Sequence, residues 1–310
     1  MKQHGNTISE SHRSSMLDFY IVQRTLGSGS TAKVKLVQDP FSNAFYAAKV
    51  IKLLPQFSPY YYRSLLLSEV ACLRKITHKN VIRIFSYREL GSYTSKSKGL
   101  YKCMYLILEY CPYGDLFSLV EKNGNLNEEI SLLFFRQIID ALEMCNKSGF
   151  SHGDLKPENI LIGEDHGIKI IDFALCHKLT QQGYKCTGTS QYLPPECRLK
   201  QKIDAVKSDI FVTGIVLFIM YVGCPPFQSA DLDDTLYSLI MTGKSEQFWR
   251  FFEKRRPGKI FSQEFKSLVE GMLEFDPNTR MSYEQIKENS WFQQTINEEL
   301  VVQLISQKIQ

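Results

Sequence analysis

Ser151-His152-Gly153-Asp154-Leu155-Lys156-Pro157-Glu158-Asn159 is followed, thirteen residues after its last member, by Asp172-Phe173-Ala174. Between the two stretches, Ile160-Leu161-Ile162 and Ile168-Lys169-Ile170-Ile171 are apolar, β-branched runs. The residues separating them, Gly163-Glu164-Asp165-His166-Gly167, are rich in turn formers. The pattern predicts a hairpin. Asn159 enters it and Asp172 leaves it, so both stand at its open end. Two hard oxygen donors there suit Mg²⁺, which prefers such ligands and keeps part of its shell for phosphate and water. Asp154 lies just upstream in a loop that shares this end. Taken singly, Asp172 reads equally well as a polar residue at a hairpin mouth.

The surrounding chain is that of an ordinary globular protein, with 310 residues, 44% hydrophobic and 23% charged. The net charge of +4 is mild and its basic residues are not gathered in one run, so nothing points to nucleic acid. Eight cysteines are scattered without a C-x-x-C pair. That spacing disfavours a zinc site or a disulfide scaffold and fits a reducing compartment. The N-terminus has no apolar stretch like that of a signal peptide. The longest apolar run, 210–223, is short for a bilayer and reads as a buried helix. An intracellular, cytoplasmic or nuclear protein is therefore expected, with no membrane partner.

Periodicity predicts strands at 20–25, 33–37, 45–51, 81–89 and 101–108, with one helix at about 62–76. After Asp115 the spacing turns helical, at 131–147, 210–222, 232–241, 247–253, 263–273 and 283–287. The expected class is α+β, with a small β-rich lobe joined to a larger helical one near Glu109-Tyr110-Cys111-Pro112-Tyr113-Gly114. A junction of that kind is a usual ligand site.

Three further features carry chemistry. Leu26-Gly27-Ser28-Gly29-Ser30-Thr31-Ala32-Lys33-Val34 is a glycine turn between strands. It suits either a tight hairpin or a phosphate cradle built from backbone N–H groups. No helix follows, which excludes the dinucleotide-fold reading of such a loop. Ala47 and Lys49 share a face of one strand. The small residue leaves room for a flat ring and the ammonium reaches phosphates, although a strand lysine can also simply extend to water. Glu69 falls on the apolar helix face with Leu65, Leu66, Cys72 and Leu73. A carboxylate there needs a cation, and Lys49 is the natural candidate.

In order and spacing, Gly27/Gly29, Lys49, Glu69, Asp154/Asn159, Asp172 and Pro195-Glu196 resemble the eukaryotic protein kinase family over about 19–292. The resemblance implies a bilobal kinase fold, with an N-lobe at about 17–108, a hinge at 109–114 and a C-lobe at 115–292. A polar segment, 1–16, would precede it and a tail, 293–310, would follow. The implied cofactors are ATP and Mg²⁺. Gly27 and Gly29 would cover the phosphates, and Lys49, anchored by Glu69, would hold two of them. Glu109 and Cys111 would meet adenine through their backbones, with Leu108 as gatekeeper. Leu26, Ser28, Val34, Ala47, Asp115 and Leu161 would complete the nucleotide site. Asp154 would accept the substrate hydroxyl proton, Lys156 would offset charge on the moving phosphoryl group, and Asn159 and Asp172 would carry the metal.

Asp-Leu-Lys-Pro-Glu-Asn, with Gly188-Thr189 ahead of Tyr192-Leu193-Pro194-Pro195-Glu196, resembles the serine/threonine pattern, and the loop and hinge resemble the calcium/calmodulin-dependent and AMP-activated group. Glu196 should pair with Arg280. Asp209 resembles the residue that braces the catalytic loop, and capping the helix that follows it is compatible with the same role. Asp115 and Glu158 favour a substrate with basic residues near its acceptor.

The chain departs from the family at three positions. Arginine of H-R-D is Gly153, glycine of D-F-G is Ala174, and the third loop glycine is Ala32. If Ala174 must take positive φ, the cost is about 1–2 kcal/mol. Gly153 removes a receiver for activation-segment phosphate, and the usual phosphosite is Lys185, so activity independent of that phosphorylation is expected. The three replacements also admit an alternative, a pseudokinase scaffold. The weakly acidic tail is unlike a calmodulin target. Its apolar residues Leu300, Val301, Leu304 and Ile305 suit a short helix docked on the large lobe.

Overall fold

A computed structural model describes residues 14–29, 32–53, 58–95, 99–180, 188–199, 203–256 and 258–309. The chain divides into two units. One comprises the described residues up to Leu66 together with Ile84–Tyr110, and the other comprises Leu67–Arg83 and the described residues from Cys111 onward.

The first unit is a closed antiparallel barrel. Its strands are β1 (Met16–Leu17), β2 (Tyr20–Ser28), β3 (Ala32–Gln38), β4 (Phe45–Lys52), β5 (Ile84–Ser95) and β6 (Gly99–Leu108), in the order β1-β2-β3-β4-β6-β5, with β1 also pairing β5. Strand alternation sorts its residues between two faces. Val37, Ala48, Val50, Tyr105 and Ile107 turn to one side and pack with Leu17, Tyr20, Tyr93 and Cys103 as the core. Leu36, Ala47, Lys49, Leu106 and Leu108 occupy the other.

Strand β5 differs from the expected 81–89 at both ends. Val81 bridges Ile170 and the Ile82 N–H donates to the Ile170 carbonyl at 3.0 Å, so these two residues belong to the second unit. At the far end the strand continues past Glu89 through a register shift before Gly91. A Cβ at Gly91 would lie 2.4 Å from the Tyr105 ring, so the glycine makes room for that ring. Tyr105 in turn donates to Asp18 Oδ2 at 2.6 Å.

Helix α1 (Pro59–Lys75) runs from the first unit into the second. The second unit holds α2 (Leu116–Asn123), α3 (Glu128–Lys147), β7 (Phe150–Ser151), β8 (Ile160–Ile162), β9 (Ile168–Ile170), β10 (His177–Lys178), α4 (Pro195–Arg198), α5 (Ala205–Val222), α6 (Thr235–Met241), α7 (Ser245–Arg255), α8 (Gln263–Met272), α9 (Tyr283–Glu288) and α10 (Glu298–Ile309). Side-chain caps set most starts. Asp115, Asn127, Asp204, Asp234, Ser262 and Ser282 each accept from a first-turn N–H. Asp234 explains why α6 begins three residues later than the expected 232. Helix α2, not foreseen as a separate element, lies between the Asp115 cap and Gly124 at φ 74°.

Helix α5 is the centre of this unit. It packs against α3 and α8 and is apolar almost all round, as befits an interior helix. At 18 residues it is long and apolar enough to cross a membrane, against the expectation drawn from the shorter run. Burial settles its place, since 89% of that span lies inside the fold. It ends at Gly223, φ 85°, where a Cβ would lie 1.8 Å from the Gly124 carbonyl oxygen. The tail forms α10, which packs on α3 and α2 with Val301 and Ile305 buried, as the docking expectation had it.

Glu196 and Arg280 form a bidentate pair at 2.8 and 2.9 Å with both side chains fully buried. Arg280 also donates to the carbonyls of Glu274 and Lys207, and Ser208 donates to Glu196. Every charge in the set is therefore met by a partner, the condition under which a buried ion pair is tolerated. Glu196→Gln leaves the guanidinium facing a neutral group in the interior. Its unfolding free energy in urea should fall by about 3–5 kcal/mol.

Candidate active site

The candidate residues are divided between the units, and each group is organised within its own. In the barrel, the register pairs Gly27 with Val34, Val34 with Lys49, and Ala47 with both Leu36 and Leu108. Val34, Lys49, Ala47 and Leu108 therefore share one face, as the two-residue spacing anticipated for Ala47 and Lys49. Ala47 and Leu108 are buried. The glycine turn closes with the Gly29 N–H donating to the Ala32 carbonyl at 2.9 Å, and Ala32 opens β3. A Cβ at Gly27 would meet nothing within 4 Å, and neither Gly27 nor Gly29 has positive φ. The fold itself thus gives no reason for glycine at Gly27. Ser30 and Thr31 lie outside the described residues.

In the second unit, Glu69 is 2% exposed on α1, beside buried Leu66, Val70, Cys72 and Leu73, so the inward face was placed correctly. Cys111 is also buried. Asp115 spends its carboxylate on the Ser118 N–H at 2.7 Å and forms a bridge with Leu161. A helix cap is thus a role that Asp115 visibly has.

The hairpin is present, with Ile160 opposite Ile170 and Ile162 opposite Ile168. At its open end the Ile171 N–H donates to the Asn159 carbonyl at 2.9 Å, which holds the two ends together. The Asn159 amide donates to the Asp154 carbonyl at 2.8 Å, so its Oδ1 is the end left to act as an acceptor. Asp172 follows in the left-handed region, φ 62° and ψ 67°, and leads into a short 3-10 turn at Phe173–Leu175. Ala174 is not among the positive-φ residues, so the strain considered for it does not arise; that conformation belongs to Asp172. The donor set, one carboxylate and one amide oxygen, suits a hard cation that completes its shell with phosphate and water. Among the described residues no group of three or more His, Cys, Asp or Glu side chains could hold a metal on protein ligands alone.

The catalytic-loop candidates converge on Asp154. Its Oδ1 accepts the Thr189 N–H at 2.8 Å and lies 3.0 Å from the Thr189 hydroxyl. Lys156 Nζ stands 2.7 Å from that hydroxyl and 3.1 Å from Asp154 Oδ2. Gly188, φ 120°, is needed for this approach, because a Cβ would fall 2.9 Å from the Gly153 carbonyl oxygen and 3.1 Å from Asp154 Oδ1.

Below this loop, Asp209 is 3% exposed and accepts the N–H groups of His152 (2.7 Å) and Gly153 (3.1 Å). Burial pushes its carboxyl above the ordinary range, while neighbouring His152 and the two N–H groups pull it back. Asp209 thus braces the loop as expected but does not also cap the helix. The cap of α5 is Asp204, five residues earlier, because the helix begins before Asp209.

The role of His152 went unread in the sequence. Its Nδ1 accepts the Asp154 N–H at 3.2 Å, which leaves Nε2 to carry the proton and donate to the Ile171 carbonyl at 2.9 Å. Its ring packs edge-on against Phe173 at 4.7 Å. The signal available was the histidine two residues before the acid. The cysteines are mostly free thiols, namely Cys72, Cys103, Cys111, Cys145, Cys176 and Cys224. Cys197 is disulfide-bonded. Scattered spacing argues against a multi-bridge scaffold, but it does not exclude one bond.

Gly153 has φ 78°, a conformation open to glycine and costly for other residues. Gly153→Ala should lower stability by about 1–2 kcal/mol in urea unfolding. Gly27→Ala, with free space and ordinary φ, should change it by less than about 0.5 kcal/mol.

A family model described as the protein kinase domain matches residues 20–292. CBL-interacting protein kinase 11 of Oryza sativa subsp. japonica is 31% identical over 297 residues, covering 92% of this chain and 53% of the relative. SNF-related serine/threonine-protein kinase of Homo sapiens is 35% identical over 282 residues, covering 88% of this chain and 33% of the relative. Maternal embryonic leucine zipper kinase of Danio rerio is 32% identical over 289 residues, covering 90% and 38%. The chain thus spans about half or less of the length of these curated relatives. The family model extends across both units and over the candidate catalytic loop, the hairpin and the Glu196–Arg280 pair, and the chain belongs to the protein kinase domain family.

Proposed function

We propose that this chain is an ATP-dependent protein serine/threonine kinase, moving the γ-phosphoryl group of ATP to a serine or threonine hydroxyl. The observation that carries the reading is the contact set of Lys156, Thr189 and Asp154. A carboxylate, an ammonium and the segment that would receive a peptide lie within hydrogen-bonding reach of one another, which supports reading Asp154 as the proton acceptor and Lys156 as the cation beside it. Asp154 Oδ1 is occupied by Thr189, so the incoming hydroxyl would be oriented, and its proton received, at Oδ2. Lys156 beside that oxygen would offset negative charge as the phosphoryl group transfers. Positioning and electrostatics do the chemistry, and no covalent enzyme intermediate is required.

Lys49 would hold phosphate oxygens, and the space over Gly27 would let phosphates approach the backbone. Asn159 Oδ1 and the Asp172 carboxylate would hold Mg²⁺, which when bound neutralises phosphate charge. Exposed Glu158 favours basic residues near the acceptor. Gly153 offers no guanidinium to a phosphorylated activation segment, so activity should not depend on that modification. Lys185, the other half of this argument, lies outside the described residues.

Phosphate transfer from Mg-ATP to a basic serine- and threonine-containing protein is the direct test. Asp172→Asn should reduce transfer by at least about 100-fold. ATP binding without transfer in the unmodified chain would favour the scaffold alternative instead. Phosphatase treatment should leave the rate unchanged, and a large gain on phosphorylation of Thr180, Thr187 or Thr189 would contradict independence from activation-segment phosphorylation.

A further inference from the structure

Helix α1 and the segment after Asp172 carry cysteines that meet. Cys72 and Cys176, both in the second unit and both free, have side chains that interact with each other. Their surroundings are unequal. Cys72 is fully buried, whereas Cys176 is partly exposed, with its Sγ 3.9 Å from the Ser68 carbonyl oxygen one helical turn before Cys72. We infer that Cys72 and Cys176 form an oxidisable dithiol site, at which a peroxide converts the pair to a disulfide joining α1 to the segment after Asp172. This goes beyond phosphotransfer and does not depend on it.

The roles of the two sulfurs follow from their settings. The interaction with Cys72 pulls the Cys176 thiol below its ordinary range, with Ser68 and Lys178 acting in the same direction and burial and Glu69 opposing. The Cys72 thiol is pushed well up by that interaction, by burial, and by neighbouring Cys176, Cys145 and Glu69. A more acidic, accessible thiol beside a buried second one is the arrangement of an attacking and a resolving cysteine. The Cys176 thiolate attacks one peroxide oxygen and the O–O bond breaks. The sulfur becomes a sulfenic acid and the other oxygen leaves as water after taking a proton. Cys72 sulfur then attacks the sulfenic sulfur, the S–O bond breaks, and the departing hydroxide takes the Cys72 proton as a second water. Two thiols are oxidised to one disulfide, and one peroxide is reduced to two waters. The bond would tie the helix bearing Glu69 to the segment bearing Asp172.

The test is peptide mapping under non-reducing conditions on the full chain, reduced and then exposed to hydrogen peroxide. A Cys72–Cys176 crosslinked peptide that reductant removes is expected, whether or not the protein transfers phosphate. In Cys72→Ser, a sulfenic-acid reagent should label Cys176. In Cys176→Ser, Cys72 should stay a free thiol. Oxidation should raise the melting temperature of the unmodified chain by about 5 °C, because the bond closes a long loop, and neither variant should show that gain. A peroxide-treated chain in which both thiols remain free would overturn the inference, and so would one in which either cysteine is joined elsewhere. An equal thermal gain in the variants would assign the effect to another bond.

Discussion

One buried carboxylate sets the geometry of the site. Asp209 sits inside the larger unit on α5, the most enclosed helix, and accepts two adjacent backbone N–H groups from the loop above it. Without it, those donors would be buried and unpaired, at about 1–3 kcal/mol each. Ionisation in that position is costly, and the structure offsets part of the cost with the same two N–H groups and with His152. The loop therefore has little freedom. Its backbone is pinned from below at His152 and Gly153, and Gly153 takes a left-handed turn that glycine accepts without strain. Asp154 is the next residue, so its carboxylate inherits that position.

From there the contacts spread laterally. His152 donates to the carbonyl just before Asp172 and packs on Phe173 just after it. Asn159 binds the Asp154 backbone, and its own carbonyl receives the Ile171 N–H. The acid of the loop and the acid of the following segment are thus linked through the His152 ring and the mouth of a short hairpin. Thr189 adds a third segment, held at Asp154 by both its N–H and its hydroxyl. Three stretches distant in sequence meet through hydrogen bonds of ordinary length, with the only left-handed non-glycine residue among them at Asp172.

Much of this was legible in the residues. Two β-branched runs around a turn-forming pentad announced the hairpin, and period-two alternation placed Ala47 and Lys49 on one barrel face. The offsets of Glu69 placed it inward, and the Glu196–Arg280 pair was anticipated through the family pattern. Other features were hidden for physical reasons. Val81 and Ile82 look like the start of a strand but pair across to Ile170, a choice made by tertiary contacts that local spacing does not record. Gly91 reads as a strand end, yet it serves as the gap into which Tyr105 fits. Helix α5 starts at its Asp204 cap, ahead of its apolar run, and the polar residues of that first turn concealed its length. Nothing in the spacing of Cys72 and Cys176 announces that the two meet.

The closure of the barrel has a consequence for what the chain can recruit. An open sheet presents a row of unpaired N–H and C=O groups along its edge, and such an edge invites an extended segment to add on. Here the two residues of β1 pair with Tyr20 and Ile21 of β2 on one side and with Tyr93 and Thr94 of β5 on the other, covering those edges only at these positions. A strand-donating partner would have to displace β1 to pair at those positions. Because that cover is only Met16 and Leu17, with Asp18 holding Ser92 and Tyr105 beside it, peeling away this short strand would lengthen the adhesive edge that β2 and β5 present.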